Sequence, residues 1–151
     1  MIKIICVGKI KEKYLKEAIE EYKKRLSKYT KLEIIEVNDI DNPNVDIVLD
    51  KEKELIEKYI DIRDYVITLE IEGNMLNSIE LAKKIDNIYN TNSTITFIIG
   101  GSYGLHKDIK SRSNYKLSFS KLTFPHQLFR VNLLEQIYRT YKINNNEAYH
   151  K

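Results

Sequence analysis

At 151 residues, with 42% hydrophobic and 31% charged side chains, the chain is long enough to bury one core and too short for two. No apolar run approaches the roughly 20 residues of a membrane span, so a membrane-embedded protein is not expected. The formal net charge of +3 is unevenly spread: residues 101–151 carry 9 Lys+Arg against 3 Asp+Glu, whereas residues 1–100 carry 16 against 19. The same basic third holds His106, His126 and His150, a combination that suits a polyanionic partner meeting titratable groups; a solvated basic surface is the plainer alternative.

In chain order, the apolar start breaks at Gly8-Lys9 with no small-residue cleavage site after it. It therefore reads as a strand over residues 2–8, not as a signal peptide. Cys6, the only cysteine, has no partner for a disulfide or a metal cage, and a cytoplasmic home is expected. Residues 11–28 set Tyr14, Leu15, Ala18, Ile19, Tyr22 and Leu26 at helical spacing. Next come a strand at 32–37, a helix from about Pro43 to Ile60 and a strand at 65–71. Ser78 is a plausible N-cap for a helix running to Tyr89. A β-branched strand, Thr94–Ile99, then runs straight into the glycine cluster Gly100-Gly101-Ser102-Tyr103-Gly104. Tyr115–Phe119 is a fifth strand candidate, and Pro125 suits the first turn of a final helix. This alternation predicts a single α/β domain over 1–151, a mostly parallel sheet with helices on both faces. Ligands bind such sheets beyond the carboxyl ends of the strands, so segments 69–73, 100–104 and 119–125 should build the pocket.

The glycine cluster spells G-x-S-x-G, which would make Ser102 a hydrolase nucleophile with Asp108 and His126 or His150 later in the chain, in the order such a triad needs. The stretch between Gly104 and Asn114 has only two aliphatic residues and makes at best a short, exposed helix, which argues against a nucleophile elbow. A dinucleotide fingerprint would need different spacing in the first strand-helix unit. A glycine pair making a tight turn is the structural alternative. On the final helix, Val131, Leu134, Tyr138 and Tyr141 form one stripe, and Phe129, Leu133 and Ile137 form another. So broad an apolar surface must be buried on two sides; a two-fold homodimer is expected, with burial inside the monomer as the alternative. The chain closes on Tyr149-His150-Lys151, an aromatic, an imidazole and a cation suited to stacking on a base, moving a proton and meeting a phosphate.

The opening "MIKIICVGKIKEKYLKEAIEEYKKRL", the "GGSYG" loop, the segment "LSFSKLTFPHQLFR" and the terminal Tyr-His-Lys together resemble the ribosomal RNA large subunit methyltransferase H family of the SPOUT superfamily. The resemblance covers nearly the whole chain and is least distinctive over residues 38–64. It implies methylation of N3 of a pseudouridine in large-subunit ribosomal RNA, using S-adenosylmethionine. It also implies a homodimer acting on the assembled ribosome and a C-terminal trefoil knot. The cofactor site it implies comprises Leu69, Gly100, Phe119, Ser120, Lys121, Leu122, Thr123 and Phe124. Leu69, Leu122 and Phe124 suit the faces of adenine, while Gly100 and Gly101 would let the backbone approach the ligand. Methyl transfer from a sulfonium needs no Lewis acid, and no metal is expected. His150 is the candidate base, with Tyr149 positioning the ring and Arg139 and Arg130 meeting RNA phosphate or a dimer partner. His126 is read as a helix N-terminal residue and His106 as a loop residue. Asn74 departs from the basic residue expected after Gly73, and residues 38–44 are acidic, so nothing there supports a basic RNA groove. The alternative from another class is a non-catalytic RNA-binding or ribosome-associated module of the same fold.

Overall fold

Strands and helices alternate through the computed structural model, which describes all 151 residues. The order is β1 (Ile2–Val7), α1 (Lys13–Leu26), β2 (Leu32–Val37), α2 (Val45–Glu57), β3 (Tyr65–Met75), α3 (Ser78–Ile88), β4 (Ile95–Ile99), α4 (Lys107–Arg112), β5 (Tyr115–Ser118) and α5 (His126–Asn144). The strands form one sheet in the order β2-β1-β4-β3-β5, and every pairing is parallel. β1 and β4 lie inside the sheet, and β4 is buried along its whole length, which is why both read as continuous apolar runs and not as alternating ones.

Because successive side chains point to opposite faces, the strands feed two cores. Ile4, Ile67 and Phe97 face α1, α3 and α5 in the larger one, where Ile19, Leu81 and Leu133 meet them. Ile5, Val66 and Ile98 face α2 and α4 in the smaller one, against Ile56 and Ile109. α5 packs against both α1 and α3, so its apolar breadth is largely met within one chain. Tyr138 packs on Tyr22 and Tyr29, Tyr141 stacks on Tyr29 at 5.8 Å, and the Tyr141 hydroxyl lies 2.8 Å from that of Tyr89. The two apolar stripes therefore do not by themselves demand a second copy.

Three local readings change. The cap of α3 is Asn77, one residue before Ser78: its side chain accepts from the Glu80 amide while Glu80 reaches back to the Asn77 amide. Ser78 instead donates its hydroxyl to Gln136 on α5 at 2.8 Å. β3 runs on to Met75, with a register shift between Leu69 and Asn74 as it pairs with β5. Arg130 is 1% exposed and unavailable to an RNA phosphate or a dimer partner: it donates to Glu36 Oε2 at 2.6 Å and to the Gly8 carbonyl at 3.1 Å. That clamp ties the first turns of α5 to the carboxyl ends of β1 and β2. No helix is long and apolar enough to cross a membrane.

Candidate functional site

A cleft of about 400 Å³ opens where β3, β4 and β5 end, a size within the range of small-molecule sites. One wall is Leu69 to Glu72, the stretch of β3 where its pairing with β5 is interrupted; another is the loop after β4, including Gly100, Gly101, Ser102 and Gly104. The third is the segment leaving β5, with Phe119, Ser120, Leu122, Thr123 and Phe124; Lys110 of α4 and His126 and Phe129 of α5 complete it. Lys121 is exposed and does not line the cleft.

The segment after β5 is pinned by its own side chains. Ser118 donates to the Ser120 carbonyl at 3.1 Å, and Ser120 Oγ accepts from the Leu122 amide at 3.0 Å. Phe119 and Phe124 both pack on Phe129, with ring centroids at 4.8 and 5.9 Å. The apolar lining is thus held from the first turn of α5, the turn that Arg130 anchors.

The glycine loop closes on itself. The Gly104 amide donates to the Gly101 carbonyl at 3.1 Å, and Gly104 has φ +76°. A Cβ at Gly100 would lie 2.6 Å from the Gly104 carbonyl oxygen. A Cβ at Gly101 would lie 3.0 Å from Val7 and 3.3 Å from both carboxylate oxygens of Glu52. The missing side chains therefore make room for the loop's own backbone and its floor, where the sequence suggested room for a ligand. Glu52 is a buried carboxylate accepting from the Ile40 amide at 3.4 Å, and burial pushes its carboxyl above the usual range.

Ser102 makes no hydrogen bond to His126, which shares the cleft with it, or to His150, whose Nδ1 lies 3.2 Å from Arg139 Nη1. His106 Nδ1 accepts from the Asp108 amide at 2.9 Å, capping α4, and its Nε2 faces Asp50 Oδ1 at 2.9 Å. Both ring nitrogens are committed away from the serine, and the turn at Ser102 leads into a helix of only 6 residues. The nucleophile reading of the cluster fails on this geometry.

His126, read from sequence as a helix N-terminal residue or a triad histidine, lines the cleft, as does Phe129, assigned only to a stripe. Glu70 and Glu72 fall in a segment expected to build the pocket, without having been singled out; Lys110 carried no signal. Glu70 Oε2 accepts from the Thr68 hydroxyl at 2.6 Å, and its Oε1 stands 3.7 Å from Lys110 Nζ.

Tyr149, His150 and Arg139 are gathered together, but not at this cleft. Arg139 Nη2 donates to Glu135 Oε1 at 2.6 Å, and the Tyr149 hydroxyl donates to the same oxygen at 3.1 Å. The Arg139 guanidinium lies 4.7 Å from the Tyr149 ring centroid, and its Nη1 is 3.2 Å from His150 Nδ1. Partial burial, then the bond to Glu135, raises the Tyr149 phenol above its ordinary value, so it stays protonated near neutrality. Arg139 lies more than three turns beyond His126 along α5, roughly 20 Å at about 1.5 Å per residue. No group of three or more His, Cys, Asp or Glu side chains is gathered to hold a metal.

Against known proteins, a family model described as "Predicted SPOUT methyltransferase" matches residues 1–150. Proteins named ribosomal RNA large subunit methyltransferase H from Clostridium botulinum strains Langeland and Okra are 56% and 55% identical, over 99% of this chain and 99% of each of theirs. A solved structure described as a "probable methylase family protein", from Haemophilus influenzae Rd KW20, aligns with a TM-score of 0.60 at 14% identity. The alignment covers 99% of this chain and 70% of that one, a likeness of fold.

Proposed function

The chain belongs to the SPOUT methyltransferase family and is an rRNA methyltransferase of the large subunit methyltransferase H type; we propose that it methylates N3 of a pseudouridine in large-subunit ribosomal RNA, with S-adenosylmethionine as donor. The observation that carries this reading is the cleft beside β3, β4 and β5, two of whose walls, the glycine loop and the segment after β5, are among the motifs that carry the family resemblance.

The cleft fits the donor in chemistry as well as size. Leu69, Leu122 and Phe124 offer apolar surface for the faces of adenine, and main-chain groups of the glycine loop and of 119–124 are at hand for its edge. When bound, S-adenosylmethionine supplies a methyl group on an electrophilic sulfonium.

The substrate nitrogen makes the remaining demand. N3 of pseudouridine is an imide N–H, and its lone pair becomes available as the proton leaves. His150 is the proposed base, with Tyr149 orienting the ring and Arg139 holding both. A positioned base contributes roughly 10²–10⁴-fold, and alignment of the reacting atoms supplies effective molarities as large as about 10⁵ M. These tail groups stand roughly 20 Å along α5 from their own cleft. A second copy is the economical way to deliver a tail there, so the enzyme acts as a homodimer in this reading. Ile71 and Leu122 at the cleft and Met75, Ile79 and Leu128 nearby in the chain are exposed apolar side chains that a partner would cover. With a modest net charge, the chain suits the folded ribosome better than free RNA as its target, which puts its work in the cytoplasm.

Incubation with ribosomes lacking the modification and isotopically labelled S-adenosylmethionine should move label into large-subunit rRNA. Absence of label in rRNA overturns the reading.

A further inference from the structure

Resting on that reading of the cleft, we propose that Glu70 and Lys110 form the subsite for the zwitterionic amino-acid head of the methyl donor, Glu70 receiving its ammonium and Lys110 its carboxylate. Only three formally charged side chains line the cleft, Glu70, Glu72 and Lys110. Glu72 is exposed. Glu70 is different: its side chain is 11% exposed and its orientation is fixed by Thr68, itself fully buried, whose hydroxyl donates to Oε2 at 2.6 Å. The other oxygen, Oε1, faces Lys110 Nζ at 3.7 Å, beyond hydrogen-bond reach. Neither Oε1 nor Nζ has another side-chain or main-chain partner within the chain. A nearly buried carboxylate oxygen and a partly exposed ammonium so close together, neither held by another protein group, are well suited to a ligand that carries both charges on one carbon.

An α-amino acid head has this arrangement, its ammonium and carboxylate a few ångströms apart. Inserted beside the Glu70–Lys110 pair in the opposite sense, it gains two charge-assisted hydrogen bonds and leaves the net charge of the cleft unchanged. The apolar lining, from Leu69 through Phe124, is left for the adenosine end. Two other roles compete: Glu70 reading the ribose hydroxyls, as acidic residues do in other nucleotide sites, or a purely structural ion pair.

Two neutral-sulfur probes separate these roles. S-adenosylhomocysteine carries adenosine and the amino-acid head, whereas 5′-methylthioadenosine keeps the adenosine and sulfur and lacks the head. Titration calorimetry on the intact chain should show Glu70→Gln and Lys110→Met each binding S-adenosylhomocysteine at least about tenfold more weakly, with 5′-methylthioadenosine unchanged within about twofold. Lys110 has a side chain 40% exposed and can be replaced without disturbing the core, so the second variant guards against misfolding of the first. Equal losses for both probes overturn the proposal in favour of a ribose or supporting role, and no loss for S-adenosylhomocysteine reduces the pair to structure. Failure of the unaltered chain to bind either probe instead removes the cofactor reading on which the proposal rests.

Discussion

Gly100 and Ser102 sit two positions apart in the same loop and should respond to substitution in opposite ways. A methyl group at Gly100 would press within 2.6 Å of the Gly104 carbonyl, a backbone atom that moves only if the loop opens. Gly100→Ala is expected to cost about 1–3 kcal/mol in thermal unfolding and to weaken S-adenosylhomocysteine binding about tenfold. Ser102→Ala, on an exposed side chain without a hydrogen-bonded base, should stay within about 0.5 kcal/mol of the parent and retain methyl transfer. A large activity loss in Ser102→Ala would restore a chemical role to that hydroxyl. The sequence located this loop correctly as a wall, because a strand ending in glycines is a local signal. It misplaced the reason, because the atoms that crowd a side chain at Gly101 come from Val7 and Glu52, far away in the chain. Glu70 and Lys110 were equally hidden: their pairing arises from α4 folding back across β3.

Among the elements, α5 carries the most consequence. Its N-terminal turn presents His126 and Phe129 to the cleft, its middle fills the larger core, and its C-terminal turns hold the tail. Arg130 sets where it begins. Replacing it with Met would leave Glu36 without its ion-pair partner, though Glu36 is 35% exposed and can rehydrate in part. The expected destabilisation is therefore about 2 kcal/mol, below the roughly 3–5 kcal/mol of a fully buried broken pair. Cofactor affinity should fall with it, as Phe129 loosens its hold on Phe119 and Phe124; chemical denaturation alongside titration calorimetry would show both. Unchanged stability would mean that the clamp is idle. Nine of the ten elements were legible from periodicity, β-branched runs and turn residues, since those signals are local, while α4, with two aliphatic residues around it, was read as at best a short helix. The errors were of the kind local signals allow: Asn77 outcompetes Ser78 as a cap because Glu80 completes a reciprocal pair with it. β3 is longer than its apolar run because pairing with β5 resumes after a break at Leu69–Asn74. The breadth of the apolar surface on α5 was read correctly, but much of its cover lies within the same chain, on α1 and α3.

For the whole molecule, the separation between cleft and tail is the feature on which the proposed shared-site dimer rests. A chain lacking Tyr149–Lys151 should bind S-adenosylhomocysteine within about twofold of the parent and lose methyl transfer almost entirely. Mixed in equal amounts with the Gly100→Ala variant, which keeps its tail, at a donor concentration too low to fill the weakened cleft, it should recover roughly a quarter of the parent activity, the share of sites expected from random pairing into two-fold dimers. Full activity of the truncated chain would end the assignment of His150, and no recovery on mixing would end the shared-site arrangement.

The function of the enzyme turns on which atom receives the methyl group, and nucleoside mapping reads that atom. Ribosomes treated with the protein and labelled S-adenosylmethionine are digested to nucleosides, and the labelled product is identified by chromatography and mass spectrometry. The expected product is a single labelled nucleoside from large-subunit rRNA, pseudouridine bearing one added methyl group at N3. Label on another nucleoside, on another atom of pseudouridine, or only on small-subunit RNA would contradict it.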